Sequence, residues 1–132
     1  MRTGDAEAQG KAGRVEEGLS TLTTALTLVD QTGERFYAAE LYRLQGELLL
    51  QRAVPDTQQA EACVHQALNI ARQQQARSWE LRAAMSLAQL WQRQGKRGAA
   101  RRLLAEVYHW FTEGFDTADL KTAKALLEEL SG

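Results

Sequence analysis

The clearest indication of the fold is the segment Ser78–Phe111, which reads SWELRAAMSLAQLWQRQGKRGAARRLLAEVYHWF. Apolar side chains recur there in steps of three and four residues on both sides of a turn at Gln94–Gly98, a pattern typical of two amphipathic helices. The small residues Ala88 and Ala100 allow the two helix backbones to approach closely, and larger side chains such as Leu104 fill the space beside them. The segment therefore predicts a helical hairpin.

The composition favours an all-α protein. The chain of 132 residues is 44% hydrophobic and 25% charged and has a single proline, and its commonest residues are good helix formers. A formal net charge of −1 gives the whole molecule no general attraction for nucleic acid or anionic lipid. The longest aliphatic run, Leu48–Leu50, is too short to span a bilayer. We therefore expect neither a membrane nor a nucleic acid as partner.

The compartment is indicated by the cysteine content and by the first residues. The one cysteine, Cys63, cannot form an internal disulfide, which fits a reducing environment. Residues 1–13 contain no apolar run of the kind that secretion signals carry. We expect a cytoplasmic protein.

Hydrophobic periodicity and turn signals divide the chain into six predicted helices. Residues 1–13 contain mainly Gly, Ala and charged residues without a period and are predicted to be a flexible tail. Residues 14–132 form the predicted helical-repeat domain. Its helices are expected near residues 14–31, 34–52, 56–75, 78–94, 96–112 and 117–130.

An internal repeat connects these helices. The positions at the centres of the helix contacts recur with an offset of 28 from the second helix of one pair to the first helix of the next. A fixed period is the signature of stacked repeats, in which neighbouring hairpins bury a common apolar core. The three steps connect Gly18 with Gly46, Ala60 with Ala88, and Ala100 with Glu128.

The hairpins resemble those of the tetratricopeptide-repeat family. That family places an aromatic residue, Leu-Gly and a second aromatic on the first helix, and Ala-x-x-x-aromatic on the second. The resemblance implies antiparallel helix pairs stacked as a short right-handed superhelix that serves as a non-catalytic protein–protein interaction module. The positions that carry it are Ala84, Leu87, Ala88, Trp91, Ala100 and Leu104.

Two segments, residues 33–50 and 110–121, are similar to the C-terminal repeat region of large bacterial signalling proteins. Those proteins combine a nucleotide-cyclase or DNA-binding head, an ATPase centre and a helical repeat tail. This resemblance implies an alternative function, namely a regulatory or sensory tail of an ATPase-linked cyclase or transcriptional regulator. Such a tail would bind a small effector or a partner domain.

The tetratricopeptide resemblance also implies a binding surface, because in that family the first helix of each pair lines the concave side. The surface is mixed polar, with arginines able to fork onto a carboxylate and a methionine able to adapt its shape. It suits a peptide or a helix, and the alternative is a solvated face without a ligand. The residues at the family's groove positions are Glu40, Arg43, Glu47, Leu50, Arg82, Met85, Gln89, Gln92 and Arg93.

The first predicted helix is the second half of a repeat whose first half is missing. Its apolar side therefore has no expected partner in the chain, whereas the end of a repeat array normally carries a polar cap. We expect a homodimer through this helix, or its packing against residues 1–13. The residues predicted for the self-association face are Val15, Leu19 and Leu22.

No residue pattern indicates catalysis, a metal or a cofactor, and we expect no enzyme activity. Cys63 lies on an apolar stripe and is predicted to pack as a small hydrophobic residue. His65 and His109 lack a second ligand three or four residues away. The basic run at residues 93–102 is predicted to be a solvated turn that pairs with Glu106 and with the acidic surface of a neighbouring repeat, rather than a nucleic-acid patch.

Overall fold

A computed structural model describes residues 3–33, 36–52, 54–111 and 117–131, with the backbone alone for residues 3–10 and 12. The described residues form six α-helices and no strand, so the predicted all-α class is confirmed. None of these helices combines the length and hydrophobicity that crossing a membrane requires. The helices are α1 (Thr3–Thr32), α2 (Ala38–Leu50), α3 (Thr57–Gln74), α4 (Arg77–Arg93), α5 (Arg97–Tyr108) and α6 (Ala118–Ser131).

The observed bounds of α3, α4 and α6 agree with the predicted ones to within one residue. The first helix is longer than predicted, because α1 begins at Thr3. Residues 3–13, which were predicted to be a flexible tail, therefore belong to this helix, although their eleven positions hold three glycines beside three alanines. Extending an existing helix costs much less than starting one, so α1 can continue through them without a periodic apolar stripe. The second and fifth helices are shorter than predicted, because the described residues 36, 37, 51 and 52 lie outside α2 and residues 109–111 lie outside α5. The predicted limits at residues 34 and 112 themselves lie outside the described residues.

Local signals in the sequence end the helices. Gly33 and Gly95 follow α1 and α4 with φ angles of 75° and 80°, and Gln75 closes α3 with a φ of 56°. A residue in the left-handed conformation turns the chain away from the helix, while backbone N–H groups at the turn still donate to the last carbonyl groups of that helix. At the start of α3 the Asp56 side chain accepts a hydrogen bond of 3.1 Å from the backbone N–H of Gln59, which is the usual N-cap arrangement.

Consecutive helices pack antiparallel. Near the end of α2, Leu49 packs in one cluster with Ala60 and Cys63, which lie early in α3. At the start of α2, Ala38 packs with Ile70, which lies late in α3. Because the end of α2 contacts the start of α3 and the start of α2 contacts the end of α3, the two helices run in opposite directions.

The first and last helices follow the same rule. Val29, late in α1, packs against the cluster at the start of α2, and Gly18, earlier in α1, faces Leu48 near the end of α2. At the opposite end of the chain, Nε of Arg97 at the start of α5 donates to the carbonyl oxygen of Leu130 near the end of α6, at 3.0 Å. The described helices therefore form a series in which each packs against the next.

The largest cluster of buried residues is centred on the hairpin of α4 and α5. Leu81, Leu87 and Leu104 are at most 1% exposed, and the two predicted contact residues, Ala88 and Ala100, are 0% exposed. All five belong to one hydrophobic cluster, which continues into α3 and α6. The two helices of the predicted hairpin are therefore present, and both small residues are buried in the core that these helices share.

The apolar side of α1 has a partner within the chain. Val15, Leu19 and Leu22, the residues predicted to mediate self-association, are only 3%, 8% and 9% exposed. Val15 and Leu19 share a cluster with Leu49 and Ala60. The expectation of an exposed apolar face was therefore wrong, because the side of α1 that carries these residues is the side that packs on α2.

Candidate functional site

Polar side chains connect the alternate helices α2, α4 and α6 along one face. Arg82 on α4 donates from Nε to Oδ2 of Asp119 on α6 at 2.9 Å and from Nη1 to Oε2 of Glu40 on α2 at 3.4 Å. Glu40 and Asp119 both lie in the first turn of their helices, and Arg82 lies in the first half of α4. One guanidinium thus joins three helices.

Two further contacts connect the later parts of the same helices. Oγ of Ser86 on α4 donates to Oε1 of Glu47 on α2 at 2.9 Å. Nε2 of Gln92, near the end of α4, donates to Oε1 of Glu129, near the end of α6, at 3.2 Å. Because early positions contact early ones and late positions contact late ones, the three helices run parallel. We call the surface that they share the α2–α4–α6 face.

Arg43 is held by two carboxylates of its own helix. Its Nε and Nη2 donate to the two carboxylate oxygens of Glu40 at 2.9 and 3.0 Å, and its Nη1 donates to Glu47 at 2.8 Å. The hydrogen bond with Glu40 raises the pKa of the Arg43 guanidinium, and the hydrogen bond with Asp119 does the same for the pKa of Arg82. Arg43 is therefore a fixed cation, and its side chain is only 15% exposed.

These ion pairs bear on the predicted role of the arginines. Arg43 and Arg82 already donate to internal carboxylates, so a fork onto a ligand carboxylate would have to displace Glu40 or Asp119. The pairing of Arg43 was signalled by its spacing of three and four residues from acidic neighbours on α2. The partner of Arg82 on α6 was missed, because a distance of 37 positions carries no helical spacing signal.

Two clefts lie side by side on the α2–α4–α6 face. Their volumes are about 270 Å³ and about 280 Å³, and they share Glu47, Ser86 and Gln89. Gln89 is exposed, so its side chain lies at the surface where the two clefts meet. The structure thus brings the predicted residues together on one face. Of these, Leu50 and Arg93 line the first cleft, Arg43, Arg82 and Met85 line the second, and Glu40 and Gln92 make the contacts between helices.

A second candidate surface consists of three aromatic side chains at the starts of α2 and α4. The ring centroids of Phe36 and Tyr37 are 4.8 Å apart, and those of Trp79 lie 5.2 Å from Phe36 and 5.6 Å from Tyr37. Phe36 and Tyr37 are 64% and 63% exposed. We call this cluster the aromatic edge. It was not predicted as a site.

A larger cavity, of about 780 Å³, adjoins the aromatic edge. Phe36 and Trp79 contribute its aromatic walls, and the chain between α3 and α4 contributes Ala76. The polar side chains in the described part of its lining are Thr32, Gln74, Arg77 and Ser78. The cavity therefore combines an apolar wall with several hydrogen-bonding groups and one cation.

A buried carboxylate lies next to this cavity. Glu80 is 0% exposed and accepts hydrogen bonds from Nε of Arg72 at 3.0 Å and from Nη1 of Arg77 at 3.5 Å. The guanidinium carbon of Arg77 also lies 4.3 Å from the ring centroid of Trp110, within the range of a cation–π contact. The two arginines share this one carboxylate, so the group carries a net positive charge.

The prediction for Cys63 is confirmed. The side chain is 5% exposed, and its thiol donates a hydrogen bond of 3.5 Å to Oε1 of Gln45. Burial raises the pKa of the thiol, which keeps it protonated and weakly nucleophilic. Among the residues that the structure describes, no three His, Cys, Asp or Glu side chains are grouped so that they could hold a metal ion.

Two arginines of the basic run bind the next helix along the chain, α6, through oxygen atoms that do not belong to acidic side chains. Arg97 donates to the carbonyl oxygens of Glu129 and Leu130, and Nε of Arg101 donates to Oγ of Ser131 at 3.0 Å. The expected pairing with acidic side chains was wrong for these two arginines. They bind instead at the C-terminus of α6, where cations interact favourably with the helix dipole.

Comparison with known proteins gave no significant match to a protein-family model, to a curated protein or to a solved structure.

Proposed function

We propose that the chain is a non-catalytic protein–protein interaction module that binds a peptide or a helix on the α2–α4–α6 face. The observation that carries the proposal is the pair of adjoining clefts, which share Glu47, Ser86 and Gln89 and extend across parallel helices. A ligand that spans both clefts would need to be elongated, and a peptide segment has that shape.

The ion pairs around the clefts support this function by fixing the walls in advance. Glu40 and Glu47 hold Arg43, and Asp119 holds Arg82, so few side chains would need to become ordered when a ligand binds. Ordering each flexible side chain costs about 0.5–1.5 kcal/mol of binding free energy. A surface whose long side chains are already fixed avoids much of that cost.

The groups that line the clefts between these pairs would make the contacts, namely the exposed Gln89 and Arg93 and the largely buried Met85. Gln89 offers an amide to both clefts, and Arg93 offers a cation at the rim of the first. Met85 lines the second cleft, where its flexible thioether adapts to differently shaped apolar side chains. These groups suit a peptide with both polar and apolar residues.

We further propose that the helix pairs are stacked as a tetratricopeptide-like right-handed superhelix. In this arrangement α2, α4 and α6 are the first helices of successive pairs and line the concave side. The antiparallel packing of consecutive helices, the parallel course of alternate ones and the offset of 28 positions in the sequence support it.

Selection from a phage-displayed library of random peptides tests the proposal. Peptides enriched on the wild-type chain are measured for affinity against Gln89→Arg, which places a longer, charged side chain in the wall common to both clefts. The matched control is Gln66→Arg, because Gln66 is also an exposed helical glutamine but lies on α3. Circular dichroism verifies that both variants keep the wild-type fold.

We expect Gln89→Arg to weaken the selected peptides by about tenfold or more, corresponding to about 1.4 kcal/mol, and Gln66→Arg to leave them unchanged. A library that yields no binder, or binders that both variants retain equally, contradicts peptide binding on this face.

A further inference from the structure

The aromatic edge exposes more apolar surface than folding requires. Phe36 and Tyr37 are each nearly two-thirds exposed, and at the same end of the helices Trp110 is 42% exposed. A soluble protein rarely keeps a contiguous apolar patch in water unless a ligand or a partner covers it. Here the patch adjoins a cavity of about 780 Å³, which lies within the size range of sites for small organic molecules.

The geometry of the rings excludes one common kind of ligand. An aromatic cage for an organic cation needs rings that surround an open centre, with the cation within about 6 Å of each ring. The rings of Phe36, Tyr37 and Trp79 instead lie 4.8–5.6 Å from one another and meet largely edge to face. They touch each other and leave no central space, so they form a wall against which a flat group can stack.

The charge at the cavity favours an anion. Arg77 lines the cavity and its side chain is 54% exposed, while its only described carboxylate partner, Glu80, is also bound by Arg72 at the shorter distance of 3.0 Å. Two guanidiniums and one carboxylate leave an excess positive charge. Contact with Trp110 holds the Arg77 guanidinium in place, and Ser78 adds a hydroxyl group to the lining of the cavity.

We propose that this cavity binds a small planar aromatic carboxylate, with its ring stacked on the aromatic edge and its carboxylate directed toward Arg77. The inference goes beyond peptide binding on the α2–α4–α6 face and does not depend on it, because the described lining of the cavity shares no residue with the two clefts. The two proposals can therefore fail separately.

The test is an NMR titration that follows the indole N–H signals of the three tryptophans, Trp79, Trp91 and Trp110. The first probe is 1-naphthaleneacetate. The second, 1-naphthylmethylamine, keeps the ring and reverses the charge, and the third, cyclohexaneacetate, keeps the charge and removes the aromatic ring. Trp91 serves as an internal control, because its Nε1 is buried in the core.

We expect 1-naphthaleneacetate to shift the Trp79 signal and to leave Trp91 unchanged. It should bind about three- to fivefold more tightly than the amine, as a partly exposed ion pair allows, and more tightly than cyclohexaneacetate. Equal binding of the three probes, or an unchanged Trp79 signal, overturns the proposal.

Two variants separate the contributions of the ring wall and the charge. Phe36→Ala removes a largely exposed ring and should raise the Kd for 1-naphthaleneacetate about fivefold. Arg77→Gln should abolish the preference for the acid over the amine, while Glu80 keeps its partner Arg72. The control is Val54→Ala, since Val54 is an apolar residue that is 84% exposed and lies outside the cavity lining. A wild-type Kd in Phe36→Ala, or a retained acid preference in Arg77→Gln, contradicts the assignment.

Discussion

Gly46 on α2 lies directly against Ala60 on α3. A Cβ atom built on Gly46 would lie 2.9 Å from the carbonyl oxygen of Ala60 and 2.7 Å from Cγ2 of Val64. Because the carbonyl oxygen belongs to the backbone of a helix, it cannot move aside as the end of a flexible side chain can. The closest approach of the α2–α3 pair therefore depends on the absence of a side chain at position 46.

We predict that Gly46→Ala destabilises the protein by about 1–2 kcal/mol. Overpacking of a tight contact costs about 1–3 kcal/mol, whereas the better helix propensity of alanine returns up to about 1 kcal/mol. Urea unfolding followed by circular dichroism measures the difference in the free energy of unfolding.

Gly13→Ala is the matched control for this prediction. Gly13 also lies within a helix, but a Cβ atom there would have no atom within 4 Å. Without a clash only the propensity gain remains, so we expect stabilisation by about 0.5–1 kcal/mol. If both substitutions stabilise the protein equally, the contact between α2 and α3 is looser than described.

The second prediction concerns the ion pairs of the α2–α4–α6 face. Arg43→Gln removes the guanidinium that binds both Glu40, whose side chain is 15% exposed, and Glu47, and it leaves Glu40 with the longer contact of 3.4 Å to Arg82. Removing one partner of a largely buried ion pair leaves a charge poorly satisfied, so we expect a loss of about 1–3 kcal/mol in the free energy of unfolding.

Arg102→Gln is the control for the loss of a positive charge. Arg102 is exposed on α5, and a substitution at such a surface position usually changes stability by less than about 0.5 kcal/mol. Equal effects of the two substitutions in chemical denaturation would show that Arg43 contributes only general charge, and not the fixed geometry that we assign to it.

The helices could be predicted from the sequence because the pattern that forms them is local. In α4, Leu81, Ala84 and Leu87 follow each other at the helical spacing and are all buried. The periodicity of apolar residues in the sequence therefore indicates which side of this helix is buried. The repeat register likewise placed Gly46 and Ala60 in the contact between α2 and α3, because only small residues permit that approach.

The N-terminal end was predicted incorrectly for a reason that the sequence contains. The register implied a missing neighbour, but α1 has a single apolar stripe, which one neighbour is enough to cover. Its other positions include Thr21, Thr24 and Thr27, whose hydroxyls donate to the carbonyl oxygens four residues earlier. These threonines satisfy their own polar groups and give the end of the helix array a polar surface.

The candidate sites were only partly predictable. The residues of the α2–α4–α6 face were expected only from the resemblance to tetratricopeptide repeats, and their pairing depends on which acidic side chain of another helix lies within reach. Arg82 and Asp119 are 37 positions apart, and no local spacing connects them. The aromatic edge was missed because the spacing of Tyr37 in the sequence is that of a buried apolar stripe. Tyr37 nevertheless lies at one end of α2, where the core no longer covers its ring.

The third prediction concerns the pH dependence of the ion pair between Glu16 and Arg52. Nε and Nη2 of Arg52 donate to the Glu16 carboxylate at 2.7 and 3.0 Å, and this hydrogen bond lowers the pKa of Glu16 below its ordinary value of 4.5. A lowered carboxylate pKa in the folded state adds stability above the unfolded pKa, and that stability is lost as the pH falls through the folded pKa.

We therefore expect Glu16→Gln to cause a small destabilisation at pH 7 that disappears as the pH falls below 4.5. Because both side chains are well exposed, added salt should weaken the effect. Thermal unfolding of wild type and variant across this pH range provides the measurement, with Glu17→Gln on the exposed side of α1 as control. A difference that grows toward low pH would contradict the sign.

The fourth prediction distinguishes core packing from self-association on α1. Leu19 is 8% exposed within the single chain, and Leu28 on the same helix is 54% exposed. If Leu19 belongs to the core, Leu19→Ala removes buried methyl groups and leaves a cavity, so the free energy of unfolding should fall by about 2–4 kcal/mol. Leu28→Ala, the same chemical change at an exposed position, should alter it by less than about 0.5 kcal/mol.

Two measurements at several protein concentrations distinguish a core position from a dimer interface. Light scattering shows whether the chain associates. The unfolding midpoint is informative as well, because the unfolding of a dimer depends on protein concentration and the unfolding of a monomer does not. A concentration-dependent midpoint that Leu19→Ala abolishes would restore the dimer, and a constant one assigns Leu19 to the contact between α1 and α2.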